Sequence, residues 1–136
     1  MNFSMAAPVF VDTGYFYARL SPRDQWHEKA RKVRIEAGSA VTSSLVVNET
    51  ISLLQLRGFY STALAYLERI RTSDDIKVIP VERALQEAAW DLFARHGGSG
   101  ATIVDCASFA IMRSQGIRRA LTFDVHFSEA GFEILG

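Results

Sequence analysis

Val9-Phe10-Val11 is apolar at every position and ends on a carboxylate, Asp12. A strand with one wet face alternates polar and apolar residues, so an unbroken apolar run suits a strand covered on both faces, as in a parallel sheet. Ala40-Val41-Thr42, Ile76-Lys77-Val78-Ile79-Pro80, Arg119-Ala120-Leu121-Thr122-Phe123 and Phe132-Glu133-Ile134-Leu135 read as further short strands. The segments between them are helical in pattern. One helix passes through Tyr15, Phe16 and Leu20, and Ser21-Pro22-Arg23-Asp24 opens a second, predicted to run to about Ala37 and stop at Gly38. Ser43 or Ser44 caps a third that carries Leu45, Val46, Glu49, Leu53, Leu54 and Leu56 and ends near Gly58. A fourth covers Thr62 to Arg71. The fifth runs from Val81 to about His96 with Ala84, Leu85, Ala88, Ala89 and Leu92 inward, and the sixth spans Thr102 to Gln115. Gly97-Gly98-Ser99-Gly100 is the loop between those two. Strands alternating with helices imply right-handed crossovers and a three-layer α/β/α sandwich around a parallel sheet of four to five strands.

At 136 residues the chain is expected to form a single domain over 1–136, and 49% hydrophobic content fills a core without structural metal. Its 15 basic residues balance its 15 acidic ones, so any contact with nucleic acid must be local rather than driven by a general basic field. Cys106 is the single cysteine, which rules out an intrachain disulfide and a thiolate zinc site and fits a reducing, cytoplasmic setting. Met1 to Pro8 lacks the basic start of a signal peptide. No uninterrupted apolar stretch reaches the roughly 20 residues a membrane span needs, so a soluble protein is expected.

Four acids interrupt apolar surroundings: Asp12, Glu49, Asp105 and Asp124. Glu49 has Leu45 four residues before it and Leu53 four after, which turns its carboxylate toward the core stripe of its helix. Asp105 shares a helix face with Thr102, Phe109 and Met112 in the same way. Asp12 and Asp124 each follow an apolar strand at its C-terminal end, where open α/β sheets form their crevice. A lone buried carboxylate costs several kcal/mol unless something neutralises it, so four that can converge point to one shared cation site. Oxygen ligands without Cys or a convincing set of His select hard ions, meaning Mg2+ or Mn2+. Two such ions about 4 Å apart can activate water and stabilise a leaving oxygen in phosphodiester hydrolysis. The remaining acids lie at helix starts, on polar faces or in turns, and read as solvated surface.

These pieces resemble, in order, the PIN domain family and in particular its toxin nucleases of VapC type. They are Val9-Phe10-Val11-Asp12-Thr13, Val47-Asn48-Glu49-Thr50 with Leu53-Leu54, Thr102 to Phe109 through Asp105, and Ala120-Leu121-Thr122-Phe123-Asp124-Val125-His126-Phe127 leading to Gly131-Phe132. The resemblance implies a flavodoxin-like sandwich and magnesium- or manganese-dependent cleavage of single-stranded RNA. It also implies a homodimer and a cognate antitoxin that blocks the acidic site. Asp12, Glu49, Asp105 and Asp124 match the family's metal-holding and catalytic acids, with Thr13, Thr122 and His126 in support. His126 stands where some members carry Asp or Asn, which departs from the pattern at a second metal position.

Other readings compete for the same residues. A metal-poor relative would bind RNA or a protein without cutting, and loss of an acid would mark it; none is lost. An aspartyl-phosphate domain, receiver- or phosphatase-like, would use Asp12 as phosphoacceptor, but it wants acids beside the nucleophile and a positioned lysine, whereas position 14 is Gly. Asp12-Thr13-Gly14 also spells the aspartic protease triplet, which needs a β-rich fold. His27 and His96 read as surface or helix-end residues, and Cys106 as a small buried thiol. Trp26 and Trp90 read as core or interface. The nine Phe residues read the same way; Tyr15, Phe16 and Tyr17, near Asp12, carry stacking on an RNA base as a secondary reading, and Arg19, Arg57 and Arg113 read first as solvated helix faces and only second as lining the approach.

Overall fold

The computed structural model describes residues 7–135, so the reading of the leader falls mostly outside the described residues. The elements are β1 (Val9–Val11), α1 (Thr13–Leu20), α2 (His27–Lys32), β2 (Ala40–Ser43), α3 (Ser44–Leu56), α4 (Tyr60–Thr72) and β3 (Ile76–Ile79). After them come α5 (Arg83–His96), a 3-10 turn over Gly97–Ser99, α6 (Ile103–Gln115), β4 (Arg119–Leu121), α7 (His126–Glu129) and β5 (Glu133–Leu135). The five strands form one sheet in the order β3-β2-β1-β4-β5, and every neighbouring pair is parallel. The main helix contacts join α1 with α2 and α3, α3 with α4, and α5 with α6, while α3 also touches α6 and α6 touches α7.

β1 is buried at all three positions, as expected of a central parallel strand. From it the chain winds outward twice on one side, through β2 and β3, then returns beyond β1 to lay down β4 and β5. The switch point therefore lies between β1 and β4, and the loops leaving those two strands carry Asp12 and Asp124. The last paired residues of β1 and β2 are Phe10 and Val41. Past them the Thr42 hydroxyl, fully buried, donates to the Val11 carbonyl at 2.8 Å and ties the strands together where the ladder ends.

The core is aromatic at the α6 end. Phe109 of α6 meets Phe127 edge-on at 5.0 Å and packs on Phe132 at 5.7 Å, and His96 closes the other side at 5.7 Å. His96 is thus a helix-end residue packed on a core ring, and His27, at the start of α2, bonds the Ala18 carbonyl through Nδ1 at 2.8 Å.

Four expectations need correction. The second helix is far shorter than Ser21 to Ala37: the Asp24 carboxylate accepts the Trp26 N–H at 2.9 Å in a turn, and α2 starts only at His27. It stops at Lys32, where Val33 turns to extended conformation, and the Arg34 guanidinium caps the end by donating to the Arg31 and Val33 carbonyls at 2.8 and 3.2 Å. Ala84 is exposed, since the inner stripe of α5 runs through Leu85, Ala88, Ala89 and Leu92. β4 ends at Leu121, not Phe123, and the next residues turn toward the site, leading into α7, a one-turn helix too short to show a period.

Thr42→Val keeps the shape and removes the hydroxyl, leaving the Val11 carbonyl without that donor. Urea unfolding should show a loss of about 1–3 kcal/mol with an unchanged m-value. A variant as stable as the wild type would mean that this bond does not hold the strand ends together.

Candidate active site

A cleft of about 560 Å3 opens at the switch point, and Asp12, Thr13, Glu49, Asp105, Thr122 and Asp124 all line it. Each acid arrives from a different element. Asp12 is the N-cap residue of α1 in extended conformation, Glu49 projects from the second turn of α3, Asp105 from the first turn of α6, and Asp124 lies in the loop after β4.

Asp105 satisfies two readings at once. It is the acid of a capping box, accepting the Thr102 N–H at 2.9 Å while its own N–H donates to the Thr102 hydroxyl at 3.1 Å. That box fixes one oxygen and aims the group into the cleft. Asp12 is held by Thr122, whose hydroxyl donates to Asp12 Oδ2 at 2.8 Å and accepts the Asp124 N–H at 3.1 Å. One hydroxyl thereby links the first acid to the fourth.

Asp124 is fixed from its other side by His126. Both the backbone N–H and Nδ1 of His126 approach Asp124 Oδ1, at 2.9 and 2.6 Å, and Nε2 lies 2.9 Å from the Ser99 carbonyl. Both ring nitrogens therefore face acceptors, an arrangement satisfied by the doubly protonated ring. The Ser99 carbonyl and then Asp124 raise the pKa of His126 accordingly. Ligand atoms of Asp105, Asp124 and His126 do lie within 4.8 Å of one another, but a ring engaged on both nitrogens braces Asp124 rather than offering a lone pair.

The loop that supplies this acceptor has one possible residue at its end. Gly100 has φ +105°, and a Cβ there would stand 3.0 Å from His126 Nε2. The backbone conformation and the close approach both demand glycine. Sequence reading treated the Gly97-to-Gly100 cluster as a connector and missed its contact with the site. The run of glycines was the available signal.

The electrostatics follow from the crowding. Asp12 is 6% exposed, and burial first, then the charge of Asp105 and that of Asp124, push its pKa up to about 7 against the Thr122 bond. Burial also raises Asp105, and Asp124 and Glu49 add to it. Cys106 points away into the core, where burial keeps the thiol protonated.

The other candidates separate. Tyr15, Phe16 and Tyr17 are buried, which agrees with the core reading and leaves them not free to stack on a base. Of the three arginines, Arg57 is bonded at 3.3 Å to the hydroxyl of Tyr17, a residue that lines the cleft, and lies over its ring. Arg19 instead bonds Tyr15 and the Ala30 carbonyl, and Arg113 the Ala130 carbonyl. Asp24, which read as solvated surface, and Trp26, which read as core or interface, both border the acidic cleft. None of the lining residues is a lysine, as an aspartyl-phosphate site would need.

Residues 9–133 match the family model of the PIN domain. The chain is 38% identical over 125 residues, 91% of its length and 95% of the relative's, to the 23S rRNA-specific endonuclease VapC20 of Mycobacterium tuberculosis. The crystal structure of that VapC20, described as a toxin cleaving the sarcin–ricin loop, superposes with TM-score 0.84 at 37% identity, covering 91% of this chain and 95% of that one. FitAcB from Neisseria gonorrhoeae shares the fold at TM-score 0.68 and 15% identity, covering 94% and 96%. With its acids at the switch point and this match along nearly its whole length, the chain belongs to the PIN domain family.

Proposed function

We propose that the whole chain acts as one nuclease domain, an endoribonuclease of toxin type whose acidic cleft holds magnesium or manganese and cuts a phosphodiester of RNA. The observation that carries the reading is the convergence of Asp12, Glu49, Asp105 and Asp124 on one cleft, where burial and mutual repulsion drive Asp12 up to about 7. Such a cluster repels itself and any phosphate, and a divalent cation relieves both.

The residues fit such an ion. The donors are carboxylate oxygens, and Thr102, Thr122 and His126 each take one oxygen of an acid, turning the group without using up its second. The Thr13 hydroxyl is buried beside Asp12 with no hydrogen-bond partner, a polar atom left over in the site. Asp12, Glu49, Asp105 and Asp124 are the ligands we assign, with Thr13, Thr122 and His126 in support. A bound divalent cation would supply Lewis acidity toward the phosphate and lower the pKa of a bound water. The side chains hold and orient; none acts as a covalent nucleophile.

The likeness to VapC20 over most of both chains supports ribosomal RNA, and its sarcin–ricin loop, as the substrate. It supports a cognate antitoxin as well, which would cover the acids with a cationic side chain. The exposed rings of Trp90 and Phe93 on α5, 51% and 47% accessible, leave apolar surface for a protein contact such as a homodimer. Among the described residues no helix is long and apolar enough to cross a membrane. A cytoplasmic place fits an enzyme acting on ribosomal RNA.

Two outcomes are expected. Asp12→Asn and Asp105→Asn should each lower cleavage of an RNA hairpin carrying the sarcin–ricin loop by about 100-fold or more while remaining folded, and EDTA should abolish wild-type cleavage. RNA bound but never cut, with variants indistinguishable from the wild type, would favour the binding-module reading instead.

The second concerns stability. Asp12 has its pKa raised from 3.8 to about 7 on folding, so below 3.8 it is protonated in both states and has no effect. Between those values the unfolded chain ionises first, so stability falls as pH rises, by at most about 4 kcal/mol once both states are ionised. In EDTA the Tm of the wild type should therefore fall from about pH 5 to about pH 8 relative to Asp12→Asn, and magnesium should restore it. Parallel curves with and without the cation would show that Asp12 bears no such load.

A further inference from the structure

Trp26 is an apolar ring on the surface, 39% exposed, and it is not isolated. Its indole stacks on Phe123 with ring centroids 5.1 Å apart and planes only 9° from parallel. Both rings line the cleft that holds the four acids, and Phe123 sits in the chain between Thr122 and Asp124. We propose that the Trp26–Phe123 stack is a platform for a nucleobase next to the cleaved phosphodiester, with Lys29 moving from the indole to the neighbouring phosphate. The inference rests on the nuclease reading and adds to it the side chains that position the RNA.

Three observations support the assignment. The first is rigidity. Tyr15, itself buried, braces Phe123 at 6.5 Å, and the Trp26 backbone is pinned by its N–H bond to Asp24 at 2.9 Å and by its carbonyl, which accepts the Ala30 N–H at 2.8 Å to start α2. A pair of rings held in this way presents a flat face at little entropic cost. The second is the cation. Lys29 Nζ lies 5.7 Å from the Trp26 ring centroid, the contact of an exposed ammonium with an aromatic face. Such a contact is weaker than stacking of a base on the same face, so a base displaces it and frees the ammonium for a phosphate. The third is need. With the net charge at zero and the cleft itself acidic, RNA affinity has to come from stacking and from a few local cations at the rim.

The chain has two tryptophans, and Trp90 lies on α5 outside the cleft. Replacing it in a Trp90→Phe protein leaves Trp26 as the sole indole reporter. Titration of the sarcin–ricin hairpin into that protein carrying Asp105→Asn as well, in magnesium, where cleavage is lost, should quench Trp26 emission along the same curve as RNA anisotropy. In cleavage with magnesium, Trp26→Ala should raise KM by about 5- to 150-fold with kcat far less affected, and Trp26→Tyr should recover most of the loss. Lys29→Ala should weaken binding and flatten its dependence on salt. RNA that binds without altering Trp26 emission, or a folded Trp26→Ala protein with wild-type KM, removes the platform and leaves the nuclease standing. Should Trp26→Ala not fold, Trp26→Leu and the emission titration decide in its place. If the wild type neither binds nor cuts the hairpin, the nuclease reading falls and the platform with it.

Discussion

Mutual repulsion among four carboxylates in one cleft is the constraint around which this molecule is arranged. Asp12 is nearly excluded from solvent and faces the charges of Asp105 and Asp124, and Asp105 faces Asp124 and Glu49. A fold gains nothing in stability from such a cluster. It persists because the surrounding polar groups fix each acid separately: the Thr102 capping box for Asp105, the Thr122 hydroxyl for Asp12, and the His126 ring for Asp124. Proteins that place strain of this kind at one point do so where a ligand relieves it.

The sheet makes the convergence possible. Its order puts β1 and β4 side by side, although more than 100 residues separate them, so Asp12 and Asp124 meet at the switch point while Thr122 bridges them. The return of α6 across the other face brings Asp105 to the same edge. His126 then ties this edge to the Gly97-to-Gly100 turn, so the connection between α5 and α6 also belongs to the site.

Much of this was legible in the sequence because its signals were periodic. The unbroken apolar run of β1, the Ser43 cap of α3 and the helical spacing around Glu49 and Asp105 each have one simple structural solution. What escaped were features set by side chains that compete with the backbone or by distant contacts. Asp24 bonds a turn before α2 and Arg34 caps its early end, through hydrogen bonds that no period announces. Trp26 follows Asp24 to the cleft, where a reading as core or interface had not placed it. The role of Gly100 depends on His126, a residue 26 positions on, and so lay beyond any local reading.

Proton release on metal binding tests the central claim most directly. Calorimetric titration of magnesium into the protein, repeated in buffers of different ionisation enthalpy, counts the protons displaced. Asp12 with a pKa of about 7 must lose its proton to serve as a ligand, so about one proton should leave per site at about pH 6 and almost none at about pH 8.5, with Asp12→Asn silent at both. Binding whose heat is independent of buffer at the lower pH, or identical in the variant, would contradict the picture of a self-repelling cluster that a cation holds together.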